Sequence, residues 1–267
     1  MSLPSGVNKQ IIIGKQAGLG TLASTGSGKQ LRRTSATLNL VKNTFESAEI
    51  RTDYQVADMR HGTRRAEGTL SGEVSCLSYA DLMAAHLRGS WAAGSTTGTI
   101  TDVAAVASGN VYQRASGSFI TDGFKVGDPV TIGGYTTAAN NGSATVVSVT
   151  ATDLGITGLT LVDEAAGDSV TISVPGKKLI VPSTGHTNDY FTIEQFFEMG
   201  ATDVSERAED CKFSTMSVNI GPDAMATIEF GILGRDVKTA SAAYFVAPTA
   251  PTTTQIHSGA SGTLLKN

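Results

Sequence analysis

Hydrophobic and polar residues alternate along much of this chain, which is typical of β-strands that bury one face. Ala36, Leu38 and Leu40 alternate with Thr37 and Asn39, and a period of two recurs in later segments. The segments with a strand pattern are 31–44, 69–76, 177–182, 189–197, 213–220 and 224–233. Short runs rich in Thr, Val and Gly fill most of the remainder, so the sequence predicts a mainly β fold.

One segment, 78–89, has a helical period instead. Ser78 is placed to cap the helix N-terminus, Asp81 lies in the first turn, and Gly89 suits a left-handed residue at the C-terminus. The apolar face comprises Tyr79, Leu82, Met83, His86 and Leu87. A histidine on an apolar face is more often packed and neutral than catalytic, so His86 is interpreted as a structural residue.

The composition changes after Trp91, where an acidic segment begins. Residues 95–174 hold two basic and seven acidic residues, whereas the whole chain carries a net charge of −4. This segment has the pattern of short strands and turns, with a hairpin signal at Asn141-Gly142. We therefore predict a discontinuous β domain, 1–94 and 175–247, into which a small β-barrel or sandwich is inserted.

Both ends of the chain have a composition that disfavours packing. Residues 1–30 contain a Gly- and Ser-rich run, which predicts a flexible N-terminal arm. Residues 248–267 are rich in Pro, Thr, Ser and Gly, which predicts an extended C-terminal arm.

Charges of both signs are concentrated between residues 51 and 68, although only 16% of the chain is charged. The residues concerned are Arg51, Asp53, Asp58, Arg60, Arg64, Arg65 and Glu67, with His61 among them. An active site, a nucleic-acid patch or a surface that docks onto another copy could each use such a stretch. A nucleic-acid patch would lack the acids, and the chain has no overall basic charge.

No motif in the sequence indicates catalysis, a cofactor or a metal. Gly18, Gly20 and Ala23 imitate a dinucleotide fingerprint, and residues 26–29 imitate a phosphate loop, but neither leads from a strand into a helix. The acids of the inserted segment, which could be calcium ligands, lack the order of a calcium loop and are interpreted as turn residues. These acids are Asp122, Asp128, Asp163, Glu164 and Asp168.

The two cysteines, Cys76 and Cys211, have no metal-binding spacing and are interpreted as reduced thiols in the core. No apolar run is long enough to cross a membrane. The N-terminus lacks the pattern of a signal peptide. The sequence therefore predicts a protein that is made in a cytoplasm and does not enter a membrane.

The order of these elements resembles that of the major tail tube proteins of long, flexible-tailed (siphovirus-type) bacteriophages. The resemblance covers nearly all of 31–247 and is strongest in 51–91 and 188–236. It rests on the strings GTLSGEVS, SYADLMAAHLRGSW, YFTIEQFF and CKFSTMSVNIGPDAMATIEFGILGRD. The inserted FITDGFKVGDPVTIGGYTTAANNG is similar to small β domains that decorate the outside of phage tails.

This resemblance implies a structural virion protein with two packed antiparallel sheets flanked by a helix. It implies rings that usually have six subunits, or three in relatives that carry two tube domains per chain. The inner strands of each ring would join into one β-barrel. Stacked rings would enclose the tape-measure protein and later conduct double-stranded DNA without specific binding. The tail terminator and distal tail proteins would be further partners, and the tail would assemble in the bacterial host cytoplasm.

The resemblance also implies a role for the charged stretch. In this family a long loop at this position projects along the tube axis onto the next ring. We therefore expect 51–68 to form an inter-ring contact, with forked bonds from its arginines to carboxylates of a neighbouring copy.

Three other functions remain open at this point. One is another virion β protein, such as a tail terminator or a capsid decoration protein. A second is a surface module for carbohydrate binding or adhesion, against which the missing signal peptide argues. A third is a hydrolase, for which no nucleophile and base can be paired.

Overall fold

The structure, a computed structural model, describes residues 9–50, 52–53, 58–199 and 203–259. It is mainly β, as predicted, with one α-helix among the described residues. The first elements are β1 (Lys9–Lys15), β2 (Lys29–Gln30), β3 (Ser35–Glu46), β4 (Met59–Glu73), α1 (Ala80–Leu87), β5 (Ser90–Ala93), β6 (Thr96–Ile100), β7 (Val103–Val106) and β8 (Val111–Arg114). The later elements are β9 (Pro129–Gly133), a short 3-10 helix (Ala138–Asn140), β10 (Gly142–Val149), β11 (Asp153–Thr157), β12 (Val170–Ser173), β13 (Lys177–Ile180), β14 (Phe191–Phe197), β15 (Val204–Asn219), β16 (Thr227–Gly234) and β17 (Asp236–Ala240).

The described residues form two compact units. The larger unit contains residues 9–90 and 181–259, and the inserted unit contains residues 91–180. Each has its own hydrophobic cluster of buried side chains. The strands β5 and β13, which pair with each other, flank the inserted unit in sequence.

The larger unit is built on an eight-stranded sheet with the order β2-β1-β14-β15-β16-β4-β3, and β17 pairs with β15. The long strand β15 joins two parts of this sheet. Its residues 204–211 pair with β14, and its residues 212–219 pair with β16. The strands β15, β16, β4 and β3 therefore form a four-stranded antiparallel part, which we call the four-strand face.

Aromatic and branched side chains on one side of these strands fill the core. Phe213 contacts the rings of Phe191 and Phe230, whose centroids lie 5.3 and 5.5 Å away. Helix α1 adds Tyr79 and Leu82 to the same cluster. The alternation of Ile228, Phe230 and Ile232 with polar residues predicted this arrangement, because a period of two directs one set of side chains to a single face. The other face stays polar.

The expected flexible N-terminal arm is wrong for residues 9–31. Strand β1 pairs with β14 along its whole length, and Ile11 and Ile13 join the main core. Ile12 packs on the opposite side, against Ala23 and Phe245. Because both faces of β1 are buried, its three successive isoleucines are all apolar core residues. The strand therefore lacks the apolar–polar alternation that would have indicated it in the sequence.

The C-terminal residues 246–259 run along the larger unit without burying a side chain. Backbone hydrogen bonds hold them to other segments: the Thr249 N–H donates to the Gly28 carbonyl, and the His257 N–H donates to the Val74 carbonyl. Isolated bridges pair Ile256 with Ser75 and Ser258 with Met225. Residues 246–259 are therefore an extended segment held by backbone hydrogen bonds, which we call the strap.

Helix α1 forms where the period predicted it, but its ends differ from the prediction. Tyr79, not Ser78, is the N-cap residue, and no side chain caps this end. The Ser78 hydroxyl instead lies 2.5 Å from the hydroxyls of Ser75 and Thr252. At the C-terminus Arg88, not Gly89, takes the left-handed conformation, with φ of 54°. His86 is half-buried, and its Nδ1 lies 3.1 Å from the Phe213 carbonyl oxygen.

The inserted unit has a seven-stranded sheet with the order β6-β12-β9-β10-β11-β8-β7. Strands β9 and β10 pair as a hairpin, but Asn141-Gly142 does not form its turn. The connection is longer and contains the 3-10 helix, and Gly142 is already the first residue of β10. Buried Asn140 explains this difference, because its side chain bonds to the backbone of Val162 and so fixes the loop.

The acids of the inserted unit serve mainly as caps of turns. Asp128 accepts the Lys125 N–H at 3.0 Å, and Asp163 accepts the Ala107 N–H at 2.7 Å. Asp122 differs, since it pairs with the buried Arg114 guanidinium at 2.6 Å. In the part of the chain that the structure describes, no three His, Cys, Asp or Glu side chains are arranged to hold a metal ion.

The two cysteines differ from each other. Cys211 is a buried thiol of the main core, and burial raises its pKa to about 12. Cys76 is exposed, contrary to the prediction. Strand β4 ends at Glu73, so the alternation that appeared to place Cys76 inward does not extend to it.

Candidate assembly surface

Within the charged stretch, residues 59–68 lie on a strand and not on the predicted loop. Strand β4 begins at Met59, and its first half pairs with the second half of β3, from Val41↔Arg65 to Glu46↔Met59. We call this two-stranded part, 41–46 with 59–65, the ribbon. Most of its residues are exposed on both faces, so no apolar period marks it as a strand in the sequence.

The arginines of the ribbon have carboxylate partners within the same chain. Arg60 bonds to Asp58 at 2.6 Å, and Arg65 bonds to Glu67. Arg64 reaches across to Asp236 on β17, at 2.7 Å. Asp53 lies in the turn beyond the ribbon, and Arg51 lies outside the described residues. The ribbon and its flanks therefore carry Asp58, Arg60, Arg64, Arg65 and Glu67, and these three arginines are paired within the same chain.

A cluster of charges anchors the base of the ribbon. Glu209, Asp210 and Asp236 are buried acids, and the cations around them are more exposed. Arg235 bonds to Asp210 at 2.8 Å, and Arg207 bonds to Glu209 at 2.9 Å. Part of this cluster lines an open cleft of about 390 Å³, whose lining residues are Arg64, Glu209, Arg235, Asp236 and Lys238.

The backbone is irregular at the same place. Asp210 has φ of 54°, in the left-handed region, where the pairing of β15 with β14 shifts register. Its carboxylate accepts the Gly20 N–H at 2.7 Å as well as the Arg235 bond. These interactions stabilise Asp210 in a backbone conformation that is unfavourable for most residues other than glycine. No local sequence pattern indicates this cluster, because its members are distant along the chain, and Arg64 and Asp236 are separated by 172 positions.

The outward side of the four-strand face is polar. Thr37 and Thr69 lie opposite each other with their hydroxyls 3.1 Å apart, and Ser71 donates to Glu229 at 2.9 Å. Thr215 accepts the Gly231 N–H at 3.1 Å. Cross-strand pairs of this kind stabilise the sheet while leaving a wet surface. This surface carries few cations, so it offers little for a phosphate backbone to bind.

In the described part of the chain, neither edge of the four-strand face is paired with a further strand, although the side chains of Lys9 and Gln195 donate to the Ala36 and Leu38 carbonyls of β3. Strand β3 pairs only with β4. At the other edge, β14 pairs with β15 as far as Cys211, which leaves residues 214–219 with β16 alone. Unpaired strand edges are templates for pairing with another chain.

Within the described residues, no helix is long and apolar enough to span a membrane. No curated protein matches the chain at the threshold that was applied. A model of the phage tail tube protein family, in contrast, matches residues 6–267. This match includes both units, the ribbon and the open edges, and it agrees with the mainly β fold. The chain therefore belongs to the phage tail tube protein family and is a structural component of the virion tail.

Proposed function

We propose that copies of this chain join edge to edge into rings and that the rings stack into the tail tube. The observation that carries this proposal is the pair of open edges on the four-strand face, β3 on one side and residues 214–219 on the other. Pairing β3 of one copy with β15 of the next would satisfy both edges. Repetition around a circle would close the sheets into one barrel, as closure alone removes the last edges.

The described residues form one such four-strand face. Since relatives with trimeric rings carry two tube domains per chain, a single face favours hexameric rings. The polar outward side of this face would line the lumen. Hydroxyls and carboxylates there suit a wet conduit, because a strongly basic wall would retain the phosphates of passing DNA. The tape-measure protein would occupy this lumen before ejection, and the tail terminator and distal tail proteins would bind the finished tube.

The ribbon would make the contact between stacked rings. It extends beyond the core with most of its residues exposed on both faces, and an isolated two-stranded hairpin is at best marginally stable in water. A second surface would stabilise it. We assign the contact to the ribbon and its flanks, which include Arg51, Asp53, Asp58, Arg60, Arg64, Arg65 and Glu67.

Electron microscopy and light scattering of the purified protein test the proposal. We expect rings and tubes with a central hole. Replacing Thr37 and Asn39 on the β3 edge by lysine should leave a folded monomer, since charged side chains on an edge strand, lysine above all, oppose pairing. The matched control places lysine at Thr99 and Thr131 of the inserted unit, where assembly should be unchanged. Monomeric wild-type protein under all assembly conditions would contradict the proposal.

A further inference from the structure

The free edge of strand β3 has a covered half and an open half. Residues 35–38 form the covered half: Lys9 donates to the Ala36 carbonyl at 3.0 Å, and Gln195 donates to the Leu38 carbonyl at 2.9 Å. In an antiparallel pair, alternate residues direct their backbone groups toward the partner strand and away from it. Because both carbonyls accept bonds from outside the β3–β4 pair, they lie on the edge that a neighbouring copy would approach.

Burial divides β3 at the same place. Leu38 is 5% exposed, and Gln195, which bonds to it, is 2% exposed. Along residues 39–46, in contrast, six of the eight residues are exposed and the other two are half-buried. A strand from another copy can therefore reach residues 39–46, which we call the open half of β3, without displacing a buried side chain.

The edge of β15 is divided in the opposite sense. Residues 204–211 pair with β14, and His86 of helix α1 lies beside the next part of the strand, with its Nδ1 3.1 Å from the Phe213 carbonyl oxygen. In the described part of the chain, residues 214–219 pair with β16 alone, and five of these six residues are exposed. We call residues 214–219 the open half of β15.

The pairing register places both divisions at one level of the four-strand face. The row of paired residues at this level is Leu38, Gly68, Ile232 and Phe213. The open half of β3 lies on the ribbon side of this row, and the open half of β15 lies on the side of the turn between β15 and β16. Two copies joined at equal height would therefore place each open half against a covered half.

The symmetry of a ring fixes the direction of pairing between copies. Successive strands of the four-strand face are antiparallel, so its two edge strands, β3 and β15, run in opposite directions. Rotation about a ring axis moves a strand to the next copy without reversing its direction along that axis. In a ring, β3 of one copy would therefore lie antiparallel to β15 of the next.

We propose that neighbouring copies pair in a staggered register, with residues 39–44 of β3 opposite residues 219–214 of β15 in the next copy. The proposal rests on the proposed function, because it specifies the pairing that joins copies into a ring. At equal height Ser217 would lie opposite Ser35, which is in its row, whereas in the staggered register it lies opposite Val41. The offset, 41 minus 35, is six residues. An even offset keeps the polar sides of both faces together.

The stagger agrees with the geometry of a closed barrel. Strands in barrels tilt by about 35–45° from the axis, and the tilt requires a staggered register. The proposed offset corresponds to about 20 Å along a strand, and the four strands of one copy occupy about 19 Å across the sheet. Their ratio gives a tilt of about 45°, at the upper end of the typical range. Pairing at equal height would give no tilt.

Two pairs of cysteines distinguish the registers. In a Cys76→Ser background, Val41→Cys with Ser217→Cys tests the staggered register, and Ser35→Cys with Ser217→Cys tests the equal-height register. The remaining cysteine, Cys211, is buried. After assembly and treatment with a short bis-maleimide, the Val41 pair should give a ladder of covalent oligomers on a denaturing gel. The Ser35 pair, which is the matched control, should remain monomeric.

Two results of the cross-linking would overturn the inference. One is a ladder from the Ser35 pair. The other is no ladder from the Val41 pair in a preparation in which electron microscopy shows rings. Electron microscopy of wild-type tubes gives an independent measurement, since strands tilted by about 45° are expected. Strands that run parallel to the tube axis would also overturn the inference.

The two proposals fail in distinguishable ways. If wild-type protein forms neither rings nor tubes, the proposed function fails, and this inference fails with it. If rings form and only the Ser35 pair cross-links, the ring proposal stands and this inference alone is wrong.

Discussion

At the scale of single residues, carboxylates in the inserted unit act through local hydrogen bonds. Asp102 accepts both the hydroxyl of Ser116, at 2.6 Å, and its backbone N–H, at 2.8 Å. The bond from the Ser116 hydroxyl is the main cause that lowers the pKa of Asp102 below its usual range. Hydrogen bonds to the ionised form favour that form, so the charged carboxylate contributes to folding.

This carboxylate makes the stability of the inserted unit depend on pH in a defined direction. The pKa of Asp102 is lower in the folded than in the unfolded chain, so its contribution is complete above the unfolded value of about 3.9 and is lost as the pH falls through the lower folded value. We expect Asp102→Ala to lower the melting temperature at neutral pH and to have a smaller effect at acidic pH, because the folded carboxylate is then increasingly protonated. Thermal unfolding followed by circular dichroism checks this. An equal loss at both pH values would show that the carboxylate charge is not responsible.

Residue-level predictions from the sequence succeeded where a side chain's role is set by its own strand. Ile228, Phe230 and Ile232 are buried as their alternation indicated. The predicted capping roles of Ser78 and Gly89 were wrong. The Ser78 hydroxyl contacts Thr252, which is distant in sequence and which no local pattern indicates. The same is true of Arg64 with Asp236, which no local pattern could pair.

At the scale of elements, one close approach fixes helix α1 on the sheet. The Tyr79 hydroxyl donates to the Arg32 carbonyl at 2.6 Å, and burial raises the pKa of Tyr79 to about 12. A Cβ atom on Gly72 of β4 would collide with this hydroxyl. The helix therefore packs at this distance only because strand β4 has a glycine there.

Adding one methyl group at this contact should destabilise the larger unit. We expect Gly72→Ala to lower the free energy of unfolding by about 1–3 kcal/mol, because the added carbon forces Tyr79 away and breaks its bond to Arg32. Gly18→Ala is the control, since open space surrounds that position. Urea unfolding followed by circular dichroism measures both. If Gly72→Ala were as stable as Gly18→Ala, the helix would not be fixed by this contact.

Element prediction failed where the physical signal was not a simple period. Strand β1 is buried on both faces, and the ribbon is largely exposed on both, so neither alternates. A continuous apolar run and a polar run are therefore the two patterns that conceal strands in this chain. The exposed side chains of Phe45 and Met59 were missed for the same reason, because both residues are isolated within polar sequence.

At the scale of the whole molecule, the order of elements carried more information than any motif. A structural protein has no catalytic or cofactor motif by which its sequence could be identified. The order of strands and helix, in contrast, resembled that of the tail tube family, whose model matches residues 6–267. Which edges stay open could not be predicted, because pairing between distant segments such as β1 and β14 determines it. The sequence therefore indicated the family and the mainly β fold, while the structure supplied the candidate surface.

The last prediction concerns the inserted unit. Its buried cluster contains only residues 103–174, and the cluster of the larger unit contains none of them. Strands β5 and β13 pair at the base, and the Gly94 N–H donates to the Gly176 carbonyl at 3.1 Å. A short Gly/Ser linker in place of residues 95–175 would thus connect two chain ends that already lie together.

We expect this linker variant to fold and to assemble into tubes like those of the full chain, because the four-strand face, the ribbon and the strap are all retained. Closing a short flexible loop changes the chain entropy only modestly, by about 0.6 kcal/mol for each doubling of loop length. Circular dichroism, thermal unfolding and electron microscopy provide the test, with the full chain as control. A variant that is folded but never assembles would show that the inserted unit forms part of the tube wall. A variant that fails to fold would show instead that the larger unit depends on the inserted one, despite their separate cores.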